Sequence, residues 1–349
     1  MFAWLSVHEF VTDYADLRRK LEWRGPAAAD GRFLSVFMDQ NNRCNLRCRM
    51  CGFSDPRVPA LPKYDMPAWL FERIASEVFP RANYLCLSIM TEPFMTREFA
   101  NRLHFTRDVP FTDIITNGTL ITPRVVEKIV DARITRLIFS IDGGTKDVFE
   151  SIRPGAVFEK VIENFRLVQS MRDDKPILRI NHVLSEPNID HFDAFLALAE
   201  ELRPEEIAVR TVSRMSDAEI QETSDPVFWR KVRAAREKLG TFCARTGIVD
   251  SAFLRDTPSL IDLGMSCRVP WTTLAIHPNG DVYPCMAWSR PPVGNIGAQS
   301  FDAIWNGAGL EALRAEFEAA KPGVDCLHCT IRRAPSDVSD DFFYEKLAK

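Results

Sequence analysis

No apolar run in this chain approaches the roughly 20 residues that a membrane-spanning helix needs. The start does not resemble a signal peptide either, because Met1 to Val7 is short and acidic Glu9, Asp13 and Asp16 follow at once. An excess of one charge is also lacking. Lys plus Arg number 44 against 48 Asp plus Glu, a net charge of -4, so nothing marks the molecule as a binder of phosphate backbones. Membrane and nucleic acid are therefore not expected as partners. An apolar fraction of 46% and a charged fraction of 26% exclude wholesale disorder, and 349 residues suffice for a large α/β domain with a smaller appendage. Cysteine is not scarce. Nine are present, in clusters and without a secretory signal, which reads as metal ligands kept reduced in a cytoplasmic protein.

Three of them fall within eight residues: Cys44, Cys48 and Cys51, spaced CxxxCxxC. Nine cysteines placed at random would give that spacing roughly 0.006 times in a chain of this length. Three thiolates are one short of the set for a four-iron cubane, so one iron would keep an open coordination position. A zinc knuckle is the bland alternative. It usually draws four ligands in two close pairs, His included, and no His follows the triplet within fifty residues.

Hydrophobic periodicity places a leading helix over 8–22, where Phe10, Val11, Tyr14, Leu17 and Leu21 share a face. From there strands alternate with helices. Strands are expected at 33–38, 84–90, 113–116, 136–141, 177–184 and 206–212, and helices at 67–78, 97–107, 123–132, 157–171, 191–202 and 226–245. Six such βα units predict a parallel sheet with right-handed crossovers, too few for a closed eight-fold barrel but enough for a partial (β/α)6 TIM-like one. The active site of such a fold lies at the carboxyl ends of the strands, and the cysteine triplet follows the first. The rhythm stops near residue 250, which sets four expected segments: a helical extension over 1–32, the barrel over 33–250, a smaller domain over 251–333 and a tail over 334–349.

The smaller region carries a second set, Cys267, Cys285, Cys326 and Cys329. Between the first two, Leu274 to Tyr283 alternates around Asn279-Gly280, a strong hairpin signal that brings Cys267 and Cys285 together. Cys326 and Cys329 could then close a tetrahedron, around which zinc is as acceptable as iron. His328 reads as an exposed loop residue, and Cys86 and Cys243 as core.

The triplet, with Met50 before its third cysteine, resembles the signature CxxxCxφC of the radical S-adenosylmethionine (SAM) enzymes. In that family the open iron is chelated by the amino and carboxylate groups of SAM, which is cleaved to methionine and a 5′-deoxyadenosyl radical. Further stretches resemble the family's motifs in order. Ser88-Ile89-Met90-Thr91-Glu92-Pro93 stands where the family usually has Gly-Gly-Glu-Pro, which implies Glu92 as partner of the methionyl ammonium. Thr116-Asn117-Gly118 resembles its Thr-Asn-Gly. Ser140-Ile141-Asp142-Gly143, followed by Arg153, is similar to its Ser-Ile-Asp-Gly turn, and implies Ser140 and Arg153 as holders of the methionyl carboxylate. By the same resemblance Asn181 is placed for the ribose hydroxyls.

The later cysteines, reading C-x12-G-x4-C and then CxxC, resemble the twitch domain, a shortened SPASM domain built on a β-hairpin and a helix. Gly294-Asn295-Ile296-Gly297 and Ala303-Ile304-Trp305 match that domain too. The resemblance implies two [4Fe–4S] clusters and SAM as cofactors, with an external one-electron reductant of flavodoxin or ferredoxin type. Four thiolates would close the second cluster, which favours electron transfer over substrate ligation. The implied reaction is a two-electron oxidation of a small polyol, an amino sugar or a short peptide, as in 2-deoxy-scyllo-inosamine dehydrogenase and the anaerobic sulfatase maturases. The alternative is a peptide maturase or radical epimerase, for which Cys243 would be the thiol hydrogen donor. His182 and Arg210, near the ends of the late strands, are the candidate substrate contacts, with a core role open for His182 and an acidic neighbour for Arg210.

Overall fold

A computed structural model describes residues 32–212, 220, 225–252, 269–286, 288, 290–319, 321, 323 and 326. The leading helix expected over 8–22, the tail over 334–349, Cys267, His328 and Cys329 lie outside the described residues. In chain order the elements open with β1 (Leu34–Met38), α1 (Ala68–Glu77), β2 (Ala82–Cys86), α2 (Phe99–Arg102) and β3 (Phe111–Thr116). Next come α3 (Pro123–Asp131), β4 (Arg136–Ser140), α4 (Lys146–Ile152), α5 (Phe158–Met171), β5 (Ile177–Leu184), α6 (Glu186–Ile189) and α7 (Phe192–Leu202). The remainder are β6 (Glu206–Thr211), α8 (Pro226–Thr246), β7 (Val249–Ala252), β8 (Thr273–Ile276), β9 (Asp281–Tyr283), β10 (Gly294–Asn295), α9 (Phe301–Trp305) and α10 (Ala308–Glu318).

The helix boundaries follow from local chemistry. Thr122 caps α3, its side chain accepting from Val125 N, and proline occupies the first helical position, where no amide partner is lost. Asp225 caps α8 the same way through Val227 N, and Gly247, at φ 76°, ends that helix in the left-handed conformation glycine adopts without strain.

The described residues form two compact units, one from 32–43, 63–113 and 269–326, the other from 44–62 and 114–252. Strand β3 begins in the first and ends in the second. In the first unit the strand order is β10-β9-β8-β1-β2-β3. Strand β8 lies parallel to β1, pairing Ser35 with Thr273 and Met38 with Ile276, whereas β9 runs antiparallel to β8 and β10 antiparallel to β9. The hairpin expected around Asn279-Gly280 is thus present, with Gly280 at φ 89° in its turn. Its first strand also extends the sheet beside β1, making the sheet mixed instead of purely parallel.

In the second unit β4, β5, β6 and β7 follow in order, all parallel. Register fixes which side chains share a face. Ser140 pairs with Asn181 and Val183 with Arg210, so Ser140, Asn181, Val183 and Arg210 stand on one side of the strands. Below them, at the amino ends, the Arg136 and Glu206 side chains form a buried ion pair at 2.6 Å. Three elements of this unit are absent from the periodicity reading: α4, α6 and β7. The short α4 fits because of two glycines. A Cβ on Gly143 would lie 2.5 Å from Phe149 N, and one on Gly144 would lie 2.1 Å from the backbone carbonyl carbon of Ala194 in α7.

Overpacking a backbone-to-backbone contact usually costs about 1–3 kcal/mol. Gly144→Ala is therefore expected to lower the unfolding free energy by about 3 kcal/mol in urea titration, because the obstacle is main chain and cannot rotate away. Gly240, on the exposed side of α8 with open space around it, is the control, and Gly240→Ala should stabilise slightly.

Candidate active site

The loop carrying the three cysteines is seated on a platform that follows α4. Arg49 N donates to Ile152 O at 2.9 Å and Arg47 N to Pro154 O at 3.5 Å. The residue between those two acceptors is Arg153. Its Nη1 donates to Cys48 Sγ at 3.5 Å, while its Nε and Nη2 grip Asp142 Oδ2 at 2.7 and 2.6 Å. Asp142 is itself held by Val183 N at 2.8 Å. Burial alone would lower the Arg153 pKa, but the Asp142 and Cys48 charges outweigh it and raise it, so the guanidinium stays charged.

Asn117 does similar work at the first cysteine. Its Nδ2 approaches Cys44 Sγ at 3.8 Å and donates to Asn45 Oδ1 at 2.9 Å, while its Oδ1 accepts from Thr119 N and Oγ1. Gly118 makes this turn possible. It sits at φ 78°, and a Cβ there would lie 2.7 Å from the Phe139 ring. Asn164 Nδ2 fixes the turn from α5 by donating to Gly118 O at 2.7 Å. Periodicity marks Asn164 only as a polar residue on a buried helix face, and so it was not a sequence candidate.

Burial pushes the Cys51 thiol up to about 11 and raises that of Cys48, against which Arg153 pulls. Thiolates so enclosed need a cationic centre. Among the described residues no three His, Cys, Asp or Glu side chains gather as one metal ion requires. A cubane asks for something else, one thiolate on each of three irons, and N–H···S bonds to two of the three sulfurs suit that group.

Ser140, Asn181 and Arg210 share the face at the carboxyl ends of β4, β5 and β6. Asn181 Oδ1 is buried there with no hydrogen-bond partner, an orphan acceptor awaiting a donor. Two candidates do not join that face. His182 points to the other side of β5, stacked on Phe195 of α7 at 3.9 Å with its Nδ1 donating to Ile141 O at 2.8 Å, which makes it a core residue. Cys243 lies in the last turn of α8, where Asp250 at the start of β7 and, above all, burial raise its thiol to about 11. That is the amino end of the strands. A helix of 21 residues spans about 30 Å, so Cys243 is remote from the carboxyl ends within this unit.

In the first unit Glu92 is 2% exposed and caps a short 3-10 turn through Phe94 N, while its own N–H donates to the carbonyl of Arg43, the residue before Cys44. Asn41 Nδ2 donates to Glu92 O at 3.0 Å and to Thr96 Oγ1 at 2.9 Å. The same unit holds Cys285, beyond β9, and Cys326. Glu316 of α10 ties their flanks: Arg290 donates to both of its carboxylate oxygens, at 2.8 and 3.1 Å, and Gly323 N donates to Oε2 at 3.0 Å.

Comparison with known proteins decides the class. Residues 40–199 match the radical SAM superfamily and residues 267–330 match the SPASM iron–sulfur cluster-binding domain. The chain is a radical SAM enzyme with a C-terminal SPASM/twitch iron–sulfur domain. It is 29% identical over 163 residues to the AdoMet-dependent heme synthase of Methanosarcina barkeri (strain Fusaro / DSM 804), a match spanning 46% of this chain and 45% of that protein. Its fold is similar to Streptococcus suis SuiB bound to S-adenosylmethionine, with 16% identity, a TM-score of 0.65, and coverage of 91% of this chain and 75% of the other. Native anSMEcpe with bound AdoMet is similar too, with 18% identity, a TM-score of 0.64, and coverage of 85% and 87%. Among the described residues no helix is long and apolar enough to cross a membrane.

Three expectations follow for this radical SAM enzyme. Asp142→Ala would leave a buried guanidinium without its carboxylate, at a cost of about 3–5 kcal/mol. Arg153→Lys keeps the charge but loses the fork, so a cluster reconstituted on Cys44, Cys48 and Cys51 would have a lower potential in an EPR-monitored redox titration, because a donor on a cluster sulfur stabilises the reduced state. For His182, burial depresses the pKa below 6.5, so its neutral form contributes stability that is complete above that value and is lost as pH falls below it. His182→Gln should remove part of the acid slope of unfolding between about pH 5 and 6.5 without abolishing turnover at pH 8.

Proposed function

We propose that this enzyme modifies a peptide oxidatively, with a [4Fe–4S] cluster on Cys44, Cys48 and Cys51 and a closed auxiliary one on Cys267, Cys285, Cys326 and Cys329. The observation carrying the chemistry is the pair of donors on cysteine sulfur, Arg153 on Cys48 and Asn117 on Cys44. When bound, the first cluster and SAM supply the 5′-deoxyadenosyl radical, which removes a hydrogen atom from an unactivated carbon. The residues of the chain do the rest. Met50 packs the loop from within, Glu92 takes the methionyl ammonium, Ser140 and the remaining donors of Arg153 take the carboxylate, and the orphan Oδ1 of Asn181 accepts from the ribose. Arg210, on the same face as Asn181, anchors an acidic or carbonyl group of the substrate. In this reading the barrel is a partial (β/α)6 TIM-like one over 33–250, and the auxiliary domain occupies 251–333.

A peptide is favoured over a sugar because two proteins of this fold have been seen with one. SuiB has been captured with its precursor peptide SuiA and anSMEcpe with the peptides Cp18Cys and Kp18Cys. Two-electron oxidation of a small polyol or amino sugar is the second reading. It rests on the anchoring of the Cys285 and Cys326 flanks by Glu316, which suits a fixed electron acceptor. Epimerisation through Cys243 is set aside, given where that thiol lies. The reductant is a flavodoxin- or ferredoxin-like protein.

The test incubates anaerobically reconstituted enzyme with SAM, a reductant and a peptide extract of the host, with mass spectrometry as readout. A peptide product lighter by two hydrogens is expected. Cys48→Ala should abolish 5′-deoxyadenosine formation, whereas Cys285→Ala should retain it while losing the product. Full product formation by Cys285→Ala would overturn the electron-transfer role, and a modified sugar in place of a peptide would establish the second reading.

A further inference from the structure

The segment that stands in for Gly-Gly-Glu-Pro has no glycine, and Asp39 compensates for this. Asp39 follows the last residue of β1 and is 1% exposed. Its carboxylate collects three successive backbone amides. Ile89 N donates to Oδ1 at 2.9 Å, Met90 N to Oδ2 at 3.2 Å and Thr91 N to Oδ1 at 3.4 Å, and the Thr91 hydroxyl adds a fourth bond at 2.9 Å. None of Ile89, Met90 and Thr91 has a positive φ. The path is therefore one that ordinary side chains tolerate, and the carboxylate, not glycine freedom, sets it.

A trans peptide places its N–H and C=O on opposite sides. With the amides of Met90 and Thr91 drawn toward Asp39, the carbonyls of Ile89 and Met90 are turned away from it, three and two residues before Glu92. Ser88 O is occupied differently, accepting from Cys86 Sγ at 3.1 Å. Asp39 itself is fixed from the C-terminal region, since its N–H donates to Ile276 O at the end of β8 at 3.3 Å. Burial raises the Asp39 carboxyl above its ordinary range, and the Ile89, Met90 and Thr91 donors oppose that rise.

We infer that Asp39 is a positioning residue for the amino-acid end of SAM: by holding the 89–91 amides it presents the Ile89 and Met90 carbonyls, beside Glu92, to a ligand ammonium. The inference rests on the radical SAM reading of Glu92 but concerns a residue outside the cysteine and Glu-Pro motifs. Asp39 does not touch the ligand and acts only through the backbone it holds.

The test is equilibrium binding to the anaerobically reconstituted full chain, with SAM and with 5′-methylthioadenosine, which shares the nucleoside and sulfur but has no amino-acid end. In Asp39→Ala, SAM should bind at least about tenfold more weakly, the cost of losing one bond to a charged group, with 5′-methylthioadenosine changed by less than about twofold. Asp39→Asn keeps the volume and one acceptor oxygen and should fall between wild type and Asp39→Ala; it carries the test if Asp39→Ala does not fold. Iron content should match wild type in both. Equal loss for the two ligands would show a merely structural role and overturn the inference, as would unchanged SAM affinity. Loss of nucleoside binding already in the wild type would instead count against the radical SAM reading of the site.

Discussion

A guanidinium lodged between a carboxylate and a sulfur organises the second unit. Arg153 cannot leave Asp142 without exposing two buried charges to a medium that cannot solvate them, so its third nitrogen is delivered to Cys48 at a fixed place. The rest of the local architecture serves that placement. Gly143 lets the turn before α4 lie against the Phe149 backbone and Gly144 lets it lie against α7, α4 ends where Ile152 O and Pro154 O receive the cysteine loop, and Asp142 is anchored by the Val183 amide of β5. On the same strand Ile180 and Leu184 both turn to the core, on the face opposite Val183, while Asn181 shares the Val183 face toward the candidate site.

The first unit solves a related problem without a cation. The Glu92 loop is fixed by hydrogen bonds from both directions, its amides on Asp39 and its Glu92 carbonyl on Asn41. Both organisers lie in the five residues between β1 and Cys44. The stretch 39–43 is thus under two constraints at once, leading into the cysteine loop and holding the loop after β2. Strand β8 adds to this, since Ile276 O is the partner of the Asp39 amide. A strand that belongs to the auxiliary region by sequence is part of the sheet that sets the Glu92 loop.

Much of this was legible in the residues. Strong period-two and period-3.6 patterns put β5 at 177–184 and α8 within one residue of its observed span, because apolar burial there is regular and the caps are strong. The Asn279-Gly280 hairpin was equally plain. What escaped is what pattern cannot carry. Helix α4 has seven residues and only Phe149 and Ile152 buried, too few for a period, and the turn before it depends on two glycines, one of which meets backbone fifty residues away at Ala194. The pairing of β8 with β1 is a contact across more than two hundred residues. Asp39 and Asn164 look like any polar residue beside an apolar run until their partners are known. His182 was read from its place on the strand, where one residue decides the face: Asn181 and His182 are neighbours, and only Asn181 shares the face of Ser140.

The two cysteine sets differ in a way that bears on reaction type. Around the first, the donors to sulfur are a guanidinium held by Asp142 and an amide held by Asn45, so protein groups fix the environment of the thiolates. On the proposed reading the open iron is left to SAM, and protein groups tune it without occupying it. The second set is braced by Glu316, through Arg290 and Gly323, on segments adjoining Cys285 and Cys326. A brace of that kind fixes where a closed cluster sits without competing for its irons. On the proposed reading direct ligation of substrate would instead require one of four cysteine ligands to yield, which favours electron transfer. On the proposed reading a substrate radical would be oxidised with loss of a proton alongside the electron, and a closed auxiliary cluster would be the electron acceptor.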